Sequence, residues 1–379
     1  MRDRHGGIGR YALHLASRLA GLPPEELDGL ELYALASSAQ KPLPIADGLA
    51  EARQFQEELG SRLHRWRRRL VSGVQLRRAG IQLFHSVDAA VLPWRAGCPI
   101  VSTTHDVIPL LGARAGIALG WLRRERKRVR LRRSYRRAAH LVADSEVTRR
   151  DVIAELGISA NRISVAHLGV DTRSFASVPA EGEGERLRRE HDLPERWFLS
   201  VGSDHRRKNH QRLFEAWHSV ANRIPEGLVL VGKPLYQQTL QQLNREAARR
   251  GMGARFRWLD EIDDAALPAL YRQATAAIAP SLYEGFGMTL LEAMACGAPV
   301  AAAANGAYQE VGGDAALFFS PLVTEEIAAA LVRLSGDAEL RATLRGKGLE
   351  RAREWSWERT ARQTLAVYRQ VLGRLEPSA

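Results

Sequence analysis

The hydrophobic and polar positions of this 379-residue chain alternate between short apolar runs and longer amphipathic stretches. Short apolar runs are typical of strands buried in a parallel sheet, and amphipathic stretches are typical of helices that cover such a sheet. Because the alternation restarts in the second half, the pattern predicts an α/β protein with two domains. The predicted strands cover residues 30–36, 81–85, 98–103, 140–143, 163–166, 197–201, 228–231, 256–259, 276–280 and 300–303.

The most informative pattern lies in residues 281–300. A predicted strand leads into a tight turn, a helical stretch at 289–295 follows, and Gly297 with Pro299 ends the helix. The turn consists of Glu284, Gly285, Phe286 and Gly287. A glycine loop at a helix start directs backbone N–H groups and the positive end of the helix dipole toward an anion. Glu284 and Glu292 bracket the loop, so a ligand with both phosphates and hydroxyls fits, as a sugar nucleotide does.

A purely structural interpretation of the same residues is also open. Thr289 and Glu292 match the Thr-x-x-Glu capping box, in which the glutamate serves the helix start. Glu284 would then be an exposed loop carboxylate. The residues alone favour neither interpretation over the other.

Other candidates follow predicted strands or precede predicted helices. His105 and Asp106 come directly after the strand at 98–103, where ligand groups of open α/β sheets lie, although Asp106 could simply cap the next turn. Arg207 and Lys208 follow the strand at 197–201 and suit a diphosphate, the alternative being a solvated basic loop. Gly7 lies in a glycine loop before a predicted helix, which is weak information by itself.

The charge balance indicates which class of partner the protein binds. The net charge is +12 with a pI near 10.2, which implies anionic partners. The excess lies in the first half, in a cluster within residues 62–78 and in a long basic helix predicted over 121–139. Trp121 and Leu122 give that helix an apolar side, so it suits anionic lipid; nucleic acid would attract it equally but no base-reading motif accompanies it. The candidate membrane or acceptor contacts on this helix are Arg123, Arg124, Lys127 and Arg128.

The remaining sequence features concern membrane insertion, secretion, the redox compartment and metal binding. No apolar run of about 18 residues predicts a membrane span, and no signal peptide is visible. Cys98 and Cys296 lie far apart without metal-ligand spacing, which indicates a reducing cytoplasm. No metal site is expected. Residues 177–185 are rich in Gly, Pro and acidic residues, and predict a linker.

Several of these motifs together resemble family 4 of the retaining glycosyltransferases, which have the GT-B fold. Residues 284–300 resemble its Glu-Gly-Phe-Gly-x-x-x-x-Glu-Ala-Met-Ala-x-Gly-x-Pro-Val signature nearly residue for residue. Residues 104–109 resemble its Thr-x-His-Asp-x-x-Pro segment, residues 206–209 its Arg-Lys-Asn segment, and residues 6–11 its Gly-Gly-Ile-Gly-Arg-Tyr loop. Arg206 is a departure, because family members often have proline there.

The resemblance implies two Rossmann-like domains facing a cleft. We expect an acceptor-side domain at 1–176, a donor-binding domain at 186–356 and a crossover helix at about 357–379. The family roles would be Glu284 on the transferred sugar, Glu292 on the ribose and His105 near the reacting sugar. The other implied donor contacts are Gly7, Arg207, Lys208, Gly285, Phe286, Gly287 and Thr289.

The resemblance further implies transfer of a hexose with retention and without a metal. GDP-mannose is the favoured donor, and UDP-glucose and a deoxyhexose donor remain open. The acceptor would be a lipid-diphosphate-linked glycan or oligosaccharide of surface polysaccharide, as in O-antigen or capsule mannosyltransferases, met at the inner face of the cell membrane. A sugar-nucleotide epimerase and a non-catalytic basic binding protein remain alternatives. Family members carry a further strand before the Gly7 loop, so the resemblance implies a truncated start or a sheet without that strand.

Overall fold

The computed structural model describes residues 7–34, 43–44, 73–88, 92, 96–117, 119–233, 237–260, 262–263 and 265–373. These residues form two compact units. The N-terminal unit comprises the described parts of Asp3–Leu110, with Gly120–Gly169 and Ser356–Ala379; the C-terminal unit comprises Leu111–Leu119 and Val170–Trp355. The basic cluster predicted within residues 62–78 falls largely outside the described residues, as does the chain before Gly7.

The strands of the described chain are short and almost all parallel. They are β1 (Tyr33–Ala34), β2 (Leu43–Pro44), β3 (Phe84–Ser86), β4 (Ile100–Thr104), β5 (His140–Ala143), β6 (Ile163–Val165), β7 (Trp197–Val201), β8 (Gly227–Val231), β9 (Phe256–Leu259), β10 (Ala276–Ala279), β11 (Val300–Ala303) and β12 (Leu317–Phe319).

The helices alternate with these strands. They are α1 (Gly7–Ala20), α2 (Pro24–Leu27), α3 (Gly73–Arg78), α4 (Ile108–Leu111), α5 (Trp121–Tyr135), α6 (Glu146–Leu156), α7 (Glu183–His191), α8 (His210–Val220), α9 (Gln237–Arg249), α10 (Ala266–Gln273), α11 (Met288–Ala295), α12 (Gly306–Gly312), α13 (Thr324–Gly336), α14 (Ala338–Glu354) and α15 (Trp357–Gly373).

The N-terminal unit contains a parallel sheet of β3, β4, β5 and β6 in that order. Its core is built from buried aliphatic side chains of the strands and of the flanking helices, such as Leu141 on β5 and Val152 on α6. The last helix, α15, packs on α1 and on the edge of β4 and β5. β1 and β2 pair separately as a short antiparallel ribbon.

The C-terminal unit contains a parallel sheet in the order β12-β11-β10-β7-β8-β9. The chain therefore runs outward from β7 to β9, returns to the other side of β7, and runs outward again from β10 to β12. This is a doubly wound sheet whose order reverses between β7 and β10. The prediction of an α/β chain with two parallel-sheet domains is confirmed.

Local sequence explains several element boundaries. Ser145 is the N-cap residue of α6, because its Oγ accepts a hydrogen bond from the backbone N–H of Thr148 at 2.9 Å. Gly157 follows the end of the helix with a φ of 59°. Asp337 caps α14 in the same way, accepting from the N–H of Leu340 at 2.8 Å. In the residues expected to form a linker, α7 begins at Glu183, whose buried carboxylate pairs with Arg272.

Within the described parts of the chain, none of the helices has the length and apolar character needed to cross a membrane.

Candidate functional site

Two loops lie side by side where the C-terminal sheet reverses its order. β7 and β10 are hydrogen-bonded parallel neighbours, so the loops that follow them leave the same edge of the sheet. The loop after β7 carries the basic pair, and the loop after β10 carries Glu284. In open parallel sheets, ligands bind outside the carboxyl ends of the strands at this reversal point.

The charged side chains of the two loops form one cluster. Arg207 Nη1 lies 2.6 Å from Glu284 Oε1, and Lys208 Nζ donates to the same oxygen at 2.8 Å. Arg207 Nη1 also donates to the carbonyl oxygen of Tyr283 at 2.6 Å. The side chains of Arg207, Lys208 and Glu284 are only 17%, 14% and 11% exposed, so these are shielded interactions. Residues predicted from two separate motifs therefore meet in one place.

The cluster carries an excess of positive charge. Burial by itself would raise the pKa of Glu284, but the charges and hydrogen bonds of Lys208 and Arg207 outweigh it and lower that pKa to about 2. Glu284 is therefore ionised at neutral pH. Two cations against one carboxylate leave a net positive group at the sheet edge, which attracts an anion.

The conformation of Asn209 ties the two loops together. Asn209 has a φ of 59°, a left-handed conformation between the 3-10 turn Arg206–Lys208 and α8. Its Nδ2 donates to the carbonyl oxygens of Pro280 at 3.1 Å and Pro321 at 2.8 Å. Sequence reasoning assigned no role to this residue, although asparagine is among the few residues that tolerate this backbone region.

The turn before α11 is a glycine turn without a side-chain cap. Gly287 is the N-cap residue with a φ of 115°, and a Cβ there would lie 2.8 Å from Tyr308 Cδ1. Thr289 lies inside α11 and its side chain bonds to Tyr308. The capping-box interpretation of Thr289 with Glu292 is therefore wrong, because a different residue occupies the N-cap position.

The loop that begins α12 supports this turn from one side. Tyr308 OH donates to Ser281 Oγ at 3.3 Å and lies 3.5 Å from Glu284 Oε1, and burial raises the pKa of this phenol. Asn305 donates through Nδ2 to the carbonyl oxygen of Ser281 at 2.8 Å and caps α12 through Oδ1. The sequence analysis gave neither residue a role.

The rest of the 285–292 segment is largely buried. Glu292 lies on α11 and is 6% exposed, and Phe286 is 4% exposed. The Phe286 ring packs edge-on against Trp355 with 5.4 Å between centroids, so its side chain belongs to the core of the unit. The ligand contacts predicted for Gly285, Phe286 and Glu292 stay predictions.

The N-terminal unit places His105 at the carboxyl edge of its own sheet. His105 Nδ1 lies 3.5 Å from Asp144 Oδ2, and Nε2 donates to the carbonyl oxygen of Val87 at 3.1 Å. Asp106 Oδ1 accepts from the N–H of Ile108 at 3.0 Å, so it does cap the following turn. Gly7 is the first residue of α1. The partnership of His105 with Asp144 was not foreseen.

Behind His105, buried hydrogen bonds join α1, the sheet and α15. Tyr11 OH and Thr103 Oγ1 lie 2.8 Å apart, and His85 Nε2 lies 2.8 Å from the same Thr103 oxygen. His85 Nδ1 contacts Tyr368 OH at 2.5 Å. Burial first, and the nearby His105 second, lower the pKa of His85 to about 3, so this imidazole is neutral.

Helix α5 bears both the predicted basic residues and exposed apolar ones. Trp121, Leu122 and Val129 are 66%, 62% and 47% exposed. Arg128 is partly withdrawn from solvent, because it pairs with Glu125 and with Glu155, the latter at 2.6 Å. Arg123 and Lys127 are exposed, and Arg124 is half-buried.

Among the described residues, no group of three or more His, Cys, Asp and Glu side chains is arranged to hold a metal ion.

Comparison with known proteins assigns the chain to a class of enzymes. The family model described as "Glycosyl transferases group 1" matches residues 184–351, and "Glycosyltransferase Family 4" matches residues 5–174. The two parallel-sheet units are those of a GT-B glycosyltransferase. The chain belongs to the glycosyltransferase family that these two models describe, and it is a glycosyltransferase.

Relatives and solved structures support the assignment. D-inositol 3-phosphate glycosyltransferase of Salinispora tropica is 31% identical over 96% of this chain and 80% of the relative. O-antigen chain mannosyltransferase B of Escherichia coli is 31% identical, but the match spans only 59% of either chain. The structure of Anabaena Alr3699/HepE in complex with UDP-glucose has a TM-score of 0.65 at 20% identity, covering 76% of this chain and 78% of that one, which shows the shared fold.

Proposed function

We propose that this glycosyltransferase moves a hexose, with retention of configuration, from a nucleoside diphosphate sugar to a lipid-diphosphate-linked glycan. The observation that carries the proposal is the cluster of Arg207, Lys208 and Glu284 at the reversal point of the C-terminal sheet. The cluster has a net positive charge, which suits a diphosphate. It also has a carboxylate, which accepts hydrogen bonds from sugar hydroxyls.

Each side chain of the cluster has a distinct task in the proposal. Arg207 and Lys208 neutralise the diphosphate as it leaves, the main electrostatic task of such a transfer. Glu284, ionised at neutral pH, orients the sugar by accepting hydrogen bonds from its hydroxyls. Glu292 holds the ribose, and His105 stands near the reacting sugar. The backbone amides around Gly287, at the positive end of α11, add to the diphosphate site.

The proposed reaction needs no covalent enzyme intermediate. The bond between the anomeric carbon and the phosphate oxygen breaks, and the acceptor oxygen bonds to the same face of that carbon. The acceptor hydroxyl gives its proton to the leaving phosphate oxygen, so the products are a glycoside and a nucleoside diphosphate. We propose that positive side chains supply the charge that a metal would otherwise bring, so transfer continues in excess EDTA.

GDP-mannose is the proposed donor. The resemblance to O-antigen chain mannosyltransferase B supports mannose and surface polysaccharide synthesis. A UDP-sugar is the second candidate, because one structural neighbour is a complex with UDP-glucose. The inositol phosphate relatives favour a different acceptor, a phosphorylated polyol. Inositol phosphate is therefore one of the acceptors in the donor screen described below.

We further propose that α5 holds the enzyme peripherally on the anionic inner face of the cell membrane. Exposed Trp121 and Leu122 can enter the interface while the arginines and lysines of the helix contact lipid phosphates, at about 1 kcal/mol for each basic residue near the surface. Co-sedimentation with phosphatidylglycerol vesicles should weaken in a Trp121→Ser, Leu122→Ser double variant. Leu322→Ser is the control, since Leu322 is 67% exposed in the C-terminal unit.

A donor screen tests the enzymatic proposal. Nucleoside diphosphate release is measured with GDP-mannose, UDP-glucose and other common sugar nucleotides, with membrane extract or inositol phosphate as acceptor, and proton NMR of the product reports the anomeric configuration. Acceptor-dependent release and a retained configuration are expected. An epimerase would alter the donor without acceptor, and a non-catalytic binding protein would turn over no donor; either result contradicts the proposal.

A matched pair of variants localises the site. Glu284→Ala should abolish sugar transfer while vesicle binding is unchanged. Arg206→Gln should leave transfer intact, because Arg206 is exposed and stands outside the cluster although it is adjacent to Arg207. Equal loss in both variants would mean that the loop, rather than the cluster, matters.

A further inference from the structure

Asp144 stands beside His105 because of the strand register. β4 and β5 are parallel, and Thr104 pairs with Ala143 at their carboxyl ends. The next residues, His105 and Asp144, therefore leave the sheet side by side. Their side chains meet with 3.5 Å between His105 Nδ1 and Asp144 Oδ2. The Asp144 side chain is 3% exposed and that of His105 is 19% exposed, so the pair lies beneath the surface of the sheet edge.

The remaining contacts of His105 determine where its protons lie. Nε2 faces the carbonyl oxygen of Val87 at 3.1 Å, and a carbonyl only accepts, so Nε2 carries a proton. Burial raises the pKa of Asp144, against the lowering effect of its hydrogen bonds with His105 and Thr148. Nδ1 faces an oxygen of this carboxyl group, and two lone pairs facing each other would repel. A second proton therefore belongs between Nδ1 and Asp144. The Thr148 hydroxyl also donates to the backbone oxygen of His105 at 3.2 Å, which fixes the residue at its main chain.

We propose that Asp144 is a positioning residue of the transfer reaction: it keeps the proton on His105 Nδ1, and thereby holds a positively charged imidazole at the carboxyl edge of the N-terminal sheet. This inference rests on the proposed function, in which His105 stands near the reacting sugar. A fixed positive charge there stabilises negative charge that develops as a diphosphate leaves. The role is indirect, since Asp144 acts through the histidine ring.

The surroundings of His105 favour the charged form. Burial lowers the pKa of His105, but the hydrogen bond and the charge of Asp144 outweigh it, aided by the Val87 carbonyl and by Asp106, so the net shift is upward. The other titratable neighbours add little charge against a protonated His105. His85 on β3 is neutral because burial lowers its pKa to about 3. Tyr11 on α1, whose ring lies edge-on 4.8 Å from the imidazole, is neutral because burial raises its pKa.

The titration of His105 tests the pairing without any need for activity. The full chain with isotope-labelled histidine is titrated by NMR, and the His105 signal is assigned by its loss in His105→Gln. In the native chain we expect a pKa above the ordinary 6.5. In Asp144→Asn it should fall by at least about one unit. Asp106→Asn is the matched control: it removes a neighbouring charge, keeps a side-chain oxygen for the N–H of Ile108, and should shift the His105 pKa much less.

The pH dependence of transfer tests the link to function. If the charged imidazole is required, kcat/KM falls as the pH rises through the pKa of His105. Asp144→Asn should move this fall in kcat/KM to lower pH. At pH 8 the variant should therefore have a kcat/KM lower by about tenfold or more. Asp144→Glu restores the carboxylate and should recover part of the loss. A purely structural role would instead lower activity equally at every pH.

The results separate this inference from the proposed function. A native His105 that titrates at or below 6.5, or a folded Asp144→Asn chain with an unchanged titration, overturns the pairing. If Asp144→Asn does not fold, the native titration and Asp144→Glu still decide. A native chain that turns over no donor overturns the proposed function and the transfer role together, and the NMR titration then still tests the pairing itself.

Discussion

Replacing Glu284 by glutamine removes a buried negative charge that two cations share. The pKa of Glu284 is lowered from 4.5 to about 2 by Lys208 and Arg207. A difference of about 2.5 units corresponds to about 3 kcal/mol in the free energy of unfolding. Because the folded pKa lies below the unfolded one, this contribution is complete above about pH 5 and is lost as the pH falls toward 2. Glu284→Gln should therefore cost about 3 kcal/mol at pH 7, and about 2 kcal/mol less than that at pH 3.

The measurement is urea unfolding at both pH values, followed by fluorine NMR of fluorotryptophan-labelled protein. Trp217 is fully buried in the C-terminal unit and reports that unit specifically. The control is Glu215→Gln, since Glu215 is an exposed residue of α8 and its loss should change stability by no more than about 0.5 kcal/mol. Equal effects of the two substitutions, or a Glu284→Gln deficit that does not shrink at pH 3, would refute the electrostatic account of the cluster.

The same variant separates the roles of the cluster. Glutamine leaves Arg207 and Lys208 without their shared carboxylate, so pyrophosphate should bind Glu284→Gln at least as tightly as the native chain by calorimetry. Sugar transfer should nevertheless be lost, because a neutral amide with a single acceptor oxygen replaces the carboxylate that holds the sugar hydroxyls. Weaker pyrophosphate binding would mean that Glu284 organises the basic pair rather than the sugar.

Four further predictions concern other parts of the structure and the absence of a metal requirement. Gly287→Ala should lower stability by about 1–3 kcal/mol in thermal unfolding, because its Cβ would lie 2.8 Å from Tyr308 and its φ is 115°; an unchanged melting temperature would contradict this. Tyr368→Phe should cost about 1 kcal/mol by removing the hydroxyl that contacts His85. Folding lowers the pKa of His85 from 6.5 to about 3, so the unfolded chain binds a proton there more readily than the folded one. The free energy of unfolding should therefore fall as the pH drops below 6.5. His85→Gln should lessen this fall, as measured by urea unfolding. Donor turnover should survive excess EDTA, and its abolition, restored by added metal ions, would contradict the metal-free proposal.

Local signals made much of the C-terminal site predictable. The apolar run at 276–280, the glycine turn and the stop at Gly297 are short-range features, and they correspond to β10, the turn and α11. The basic pair was likewise visible after a predicted strand. What the residues could not reveal is that Lys208 and Glu284 touch, because their contact depends on β10 lying next to β7 rather than beside β9.

Supporting residues were missed for a related reason. Tyr308 and Asn305 act on the turn at Ser281 only because β10 and β11 are neighbours. Asp144 meets His105 only through the register of β4 and β5. In α5, the charge run looked uniformly available, yet Arg128 is occupied by Glu155 of the adjacent helix α6. In each case tertiary pairing determines the role of a side chain that sequence spacing leaves open.

In the proposed function, the basic pair beside Glu284 binds the diphosphate of a sugar donor. The most direct test of this role is donor affinity, measured by calorimetry with GDP-mannose and UDP-glucose for the native chain, Lys208→Met and Arg206→Gln. One of these donors should bind the native chain and Arg206→Gln with similar affinity, and Lys208→Met should weaken its binding by about tenfold or more. Donor binding that Lys208→Met leaves unchanged would contradict a role of the basic pair in holding the diphosphate.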